Sequence, residues 1–65
     1  MITVNGEPMD WTEAMTVADV LERRRFIFKM LVVQVDGHLV KRAAYATTPV
    51  PDGAVVEVIH MISGG

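Results

Sequence analysis

Three short pairs constrain this chain most: Asn5-Gly6, Asp36-Gly37 and Asp52-Gly53. Asn-Gly and Asp-Gly favour tight hairpin turns, because the central residues of such turns need positive φ. Each pair borders a run with apolar residues at alternate positions: "ITV" before the first, "LVVQV" before the second, "AVVEVIHM" after the third. A chain punctuated this way must build a sheet from short strands. Its 65 residues allow one domain, and a chain of that size buries only roughly 60% of its unfolded surface.

One stretch has the other periodicity. "MTVADVLERRR" predicts a helix with Thr16 as N-cap and Asp19 at the third helical position, the spacing of a capping box. Met15 and Val20 stand at hydrophobic-staple positions, while Val17, Val20, Leu21 and the Arg24 stem make one apolar stripe. Glu22 and the three arginines are expected to face water. No glycine ends the helix, so its C-terminal boundary is not set by the sequence.

The rest of the order follows from the turns. Pro8 limits the strand after Asn5-Gly6 to a short edge, since proline cannot donate to a ladder. Leu31, Val33 and Val35 point one way, and Val32 and Gln34 the other. After Asp36-Gly37, "HLV" returns as a short strand. "KRAAYATTPVPDG" is read as a loop without regular structure, fixed by Pro49 and Pro51. In the last strand Val56 and Val58 share one face, and Val55, Glu57 and Ile59 the other. The sum is an α+β, β-grasp (ubiquitin-like) fold: a small mixed sheet of four to five strands with one helix packed across one face. Val32, Val55 and Ile59 then lie on the uncovered face, near Met61 and Ile62. They are either scattered surface aliphatics or a partner-contact surface.

Composition removes several function classes. There is no cysteine, which excludes disulfides, thiolate metal sites and a persulfide carried by the chain itself. Two histidines without cysteine make a poor basis for zinc. His38 is expected at the surface, His60 at the end of the last strand, and the five methionines as gap-fillers in a small core. Phe26 and Phe28, flanking Ile27, are expected to plug the open end of the sheet. No apolar run approaches the ~18 residues of a membrane span, so a soluble cytoplasmic domain is expected, with no membrane partner. The net charge is −2, and all six basic residues fall between Arg23 and Arg42. The acidic total and the lack of stacking aromatics point away from nucleic acid and toward a solvated helix end.

The chain closes on "MISGG". Two terminal glycines cannot pack, and ordering them costs more backbone entropy than any other pair. Residues 1–61 therefore read as the domain and 62–65 as a flexible tail. The tail is either a frayed end or a thin lead that carries a terminal carboxylate into another protein's active site.

Together these stretches resemble a family. "ITVNG", "TVADVLE", "VVQVDGHLVKRAAY", "VPDGAVVEVI" and the closing "MISGG" make the chain similar to the ThiS-like sulfur-carrier proteins of thiamin (thiazole) biosynthesis. Lys41 stands where that family usually has proline, and Ala54 where it usually has a second acid; Arg42 and Tyr45 match and are expected to pin the long loop. The resemblance implies a carrier, not an enzyme, with no catalytic residues and no metal or cofactor bound. Gly65 would be the modified residue, adenylated and then thiocarboxylated. Gly64 and Ser63 would thread the tail, with Ile62, Met61, Ile59, Val55 and Val32 as candidate partner contacts. The implied partners are an ATP-dependent adenylating enzyme of the ubiquitin-activating type, which uses ATP and Mg²⁺, a cysteine desulfurase-derived sulfur donor, and thiazole synthase. The free carrier would be a monomer. A molybdopterin-synthase-type carrier and a ubiquitin-like protein modifier remain alternatives with the same tail, and a plain interaction module a third.

Overall fold

The computed structural model describes residues 1–26 and 31–60. Its elements are β1 (Ile2–Val4), β2 (Glu7–Met9), α1 (Val17–Arg23), β3 (Leu31–Val35), β4 (His38–Val40), a 3-10 turn at Arg42–Ala44, and β5 (Val55–His60). The five strands form one sheet in the order β2-β1-β5-β3-β4. The last strand in the sequence is thus the middle strand in space. It pairs parallel with β1 and antiparallel with β3, as the helical crossover from β2 to β3 allows. This is the expected β-grasp arrangement, with five strands.

Two of the three turn pairs form the hairpins their chemistry favours, whereas Asp52-Gly53, where only Gly53 has positive φ, turns the loop into β5 without a hairpin. Asn5 and Gly6 have φ of 52° and 83°, and Asp36 and Gly37 have 50° and 82°. Both are hairpin turns with positive φ at each central residue, and they fix the registers Val4↔Glu7 and Val35↔His38. Pro8 sits in the edge strand β2, where its missing N–H costs no ladder bond.

The core fills the space between α1 and one face of the sheet. Val17, Val20 and Leu21 from the helix meet Ile2, Val4, Val33, Val35, Val56 and Val58 from the strands. Val17, Val20, Val33 and Val56 are wholly buried. Of the methionines, Met15 is buried and Met9 packs at the margin, while Met1 is exposed; Met30 and Met61 lie outside the described residues. Phe26 packs against the core, and Ile27 and Phe28 lie outside the described residues.

The capping box forms in full. Asp19 N donates to Thr16 Oγ1, and the Asp19 carboxylate accepts from Thr16 N at 2.9 Å. The Thr16 backbone N–H, then its hydroxyl, hold the Asp19 carboxyl below the usual carboxylate range.

Three expectations need correction. The helix does have a defined C-terminal stop: Arg25 adopts φ 56° and takes the left-handed position usually given to glycine. Arg25 N donates to Glu22 O, and Phe26 N donates to Leu21 O at 2.9 Å, so the last carbonyls are satisfied in a Schellman motif. The hydrophobic contact of Phe26 with the core supplies what the missing glycine would have eased. Second, Arg24 does not simply face water. Its guanidinium reaches the Glu7 carboxylate at 3.1 Å and the Pro8 carbonyl, tying the helix end to β2.

Third, the loop after β4 is more regular than its prolines suggest. It contains the 3-10 turn and wraps the helix N-terminus, where Val17 N donates to Thr48 O and Ala18 N to Tyr45 O at 2.9 Å. These carbonyls satisfy N–H groups that have no intrahelical partner. Val50 is buried beneath the loop, and Trp11 Nε1 donates to its carbonyl at 2.6 Å. Tyr45 does pin the loop, donating from its hydroxyl to Leu31 O at 3.4 Å. Arg42 is exposed, and among the described residues its side chain makes no hydrogen bond.

Candidate functional site

A tail at the end of β5 is only as well placed as β5 itself. Being central, this strand is held on both sides, and side chains extend the holding beyond the backbone ladders. At its start, the Asp36 carboxylate accepts from Val55 N at 2.8 Å while Asp36 N donates to Val55 O at 2.8 Å. Farther along on the β1 side, Asn5 Oδ1 accepts from Val58 N at 2.8 Å and Asn5 Nδ2 donates to Val58 O at 3.1 Å. Both contacts come from the first residue of a hairpin turn. Sequence reasoning assigned these residues to turns alone, and it passed over Trp11.

Of the candidate site residues, Gly65, Gly64, Ser63, Ile62 and Met61 lie outside the described residues. Val32, Val55 and Ile59 are on the face of the sheet opposite α1, as their alternation requires. Val32 stands directly across from Ile59, at the end of β5 from which the tail continues. Ile59 is 47% exposed and Val55 49%. Val55 is four positions earlier on the strand and does not join the Val32–Ile59 pair. The cross-strand pair Gln34–Glu57 lies between them, so the three residues form two separate apolar spots. A further exposed aliphatic, Leu39 on β4, pairs with Gln34 of β3 and ends the row that Glu57 and Gln34 begin. One residue in a three-residue strand carried too little pattern to be noticed.

The arginine cluster is partly committed to structure. Arg23 Nη1 donates to the Asp10 carbonyl at 3.2 Å, Arg24 is held by Glu7, and Arg25 stands exposed at the helix stop. His38 is exposed, as expected. Among the described residues, no three His, Asp or Glu side chains come together as a metal would need. Likewise, no helix among them is long and apolar enough to cross a membrane.

A five-stranded mixed sheet with one helix laid over one face and the last strand at its centre defines a ubiquitin-like β-grasp domain. The sequence pattern of the ThiS family matches residues 2–65, and the chain belongs to that family, the sulfur carriers of thiamine biosynthesis. The crystal structure of thiamine biosynthesis protein ThiS from Geobacter metallireducens is similar at a TM-score of 0.79 and 30% identity, over 98% of this chain and 97% of that one. The solution structure of a thiamine biosynthesis protein from the same organism gives a TM-score of 0.75 and 31% identity, over 98% and 86%. No curated protein matches significantly.

Proposed function

We propose that the chain carries sulfur on its terminal glycine, as a thiocarboxylate destined for the thiazole ring of thiamin. The observation that supports this most is the family match running through Gly64 and Gly65. The chemistry gives those residues a reason. A carboxylate is a poor acyl donor because oxide is a poor leaving group. The Gly65 carboxylate would attack the α-phosphorus of ATP, releasing pyrophosphate and forming a mixed anhydride. A persulfide whose outer sulfur comes from a cysteine desulfurase would displace AMP to give an acyl disulfide, and a thiol would cleave that S–S bond, forming a new disulfide and releasing the thiocarboxylate. Thiazole synthase would then take the sulfur.

A glycine at the last position leaves the carbonyl uncrowded for each attack, and Gly64 lets the backbone thread a narrow channel. The chain acts as carrier and not as enzyme. An adenylating enzyme related to the ubiquitin-activating enzymes supplies ATP binding, Mg²⁺ and charge stabilisation. Val32 and Ile59, beside the root of the tail, are the first contacts on which such an enzyme docks, with Val55 a second and separate one. Deleting Gly65 tests the reading. The truncated chain is expected to keep its fold and to lose all ATP–pyrophosphate exchange with its activating enzyme; undiminished exchange would overturn the proposal.

A further inference from the structure

The Asn5 amide does something that a turn residue has no need to do. In the parallel β1–β5 ladder, Thr3 N donates to Ala54 O and Asn5 N to Val56 O. The next β5 groups on that side are Val58 N–H and C=O, and there β1 has already ended, because the chain reverses at Asn5-Gly6. The Asn5 side chain takes over. Its amide oxygen and nitrogen pair with both Val58 groups, at 2.8 and 3.1 Å, as one more rung of strand would. Left alone, those two groups would be half-buried and unpaired at the edge of the ladder, and β5 would be held there from the β3 side only.

Val58 lies seven positions before Gly65. We infer that Asn5 is a positioning residue for tail transfer: its amide clamps the last part of β5 and so fixes the direction in which the tail leaves the sheet. The inference rests on the proposed carrier function. Asp36 does not share the role, since its carboxylate holds the start of the same strand, at Val55. The covered-face residues do not share it either, because they hold β5 to the helix and not along the line of the tail.

The turn and the clamp can be separated. Asn5→Gly keeps a residue at home at positive φ and removes only the amide. Asn5→Asp keeps the turn and the acceptor for Val58 N–H but sets a carboxylate against the Val58 carbonyl. For both variants two quantities are measured beside wild type: amide hydrogen exchange across β5, and steady-state ATP–pyrophosphate exchange with the activating enzyme. Exchange at Val58 is expected to quicken roughly tenfold in Asn5→Gly, and less in Asn5→Asp, where the retained acceptor is pushed away by the Val58 carbonyl, while Val33 and Val56 keep their protection in both. With docking contacts intact, KM should stay within about twofold and kcat should fall roughly tenfold, because a misdirected tail reaches the active site less often.

A merely structural role would give a different result. The folded fraction would drop and apparent KM would rise with it, while kcat per folded chain stayed at the wild-type value. That outcome, or an unchanged kcat with Val58 exchange accelerated, overturns the positioning role. Should Asn5→Gly fail to fold, Asn5→Asp decides alone by the same criteria. A wild-type chain inert toward its activating enzyme would overturn the carrier function and this inference with it. An active wild type matched by both variants overturns this inference only.

Discussion

The two faces of β5 are made from nearly the same residues and live in different surroundings. Val56 and Val58 look toward α1 and are buried, whereas Val55 and Ile59, their neighbours along the strand, are about half exposed on the other side. The aliphatic side chains do not distinguish the sets; the period of two, the placement of a single helix and Glu57 on the open face do. One face is spent on stability, which a chain of this size has little of to spare. The other stays free for contact, and Glu57 and Gln34 divide its apolar residues into spots too small to drive non-specific association.

The contrast predicts a large asymmetry. Val56→Asp buries a carboxylate at a wholly enclosed position and should cost more than about 4 kcal/mol, enough to unfold the domain. Ile59→Asp, three residues away, should change stability by less than about 1 kcal/mol in urea denaturation. It should weaken binding to the activating enzyme roughly tenfold. Equal losses of stability from the two variants would erase the distinction between the faces.

Smaller effects come from the ends of the helix that makes one face different from the other. Thr16→Ala removes the cap and should cost about 1 kcal/mol. The Asp19 half of the capping box adds a pH dependence. Its carboxyl titrates lower in the folded chain than in the unfolded one, so its stabilisation is complete above the unfolded pKa and is lost as pH falls through the folded value. The stability gap between wild type and Asp19→Asn should therefore close on acidification below the ordinary carboxylate range; a gap independent of pH would contradict the box. At the other end, Arg25→Gly relieves a left-handed arginine and should raise stability by up to about 1 kcal/mol in urea denaturation. A loss instead would mean that the Arg25 side chain contributes more than its backbone conformation costs.

Much of this molecule was legible before its structure. The Asn5-Gly6 and Asp36-Gly37 turns, the Thr16–Asp19 box and the alternation in "AVVEVIH" are local signals, and the turns and the box close within a few residues. What stayed hidden depends on distant contacts. Asn5 reaches Val58 across 53 positions and Trp11 reaches Val50 across 39, separations at which no local pattern survives. Arg25 at the helix stop was missed because propensity favours glycine there, and the packing of Phe26 overrode it. The 3-10 turn was hidden by the prolines farther along its loop, since a loop that caps a helix with its carbonyls has no periodicity of its own. For the candidate site, Val32, Val55 and Ile59 were assigned to the open face by alternation alone, but their division into two spots needed the register of β3 against β5.

The most direct test of the account is the intact mass of the chain after incubation with its activating enzyme, ATP, Mg²⁺ and a sulfur donor. The carrier function predicts a species heavier by one oxygen-to-sulfur exchange, alkylatable although the chain has no cysteine, and mapped by fragmentation to Gly65. A mass that stays unchanged under those conditions, with the same enzyme charging another carrier in parallel, would contradict it.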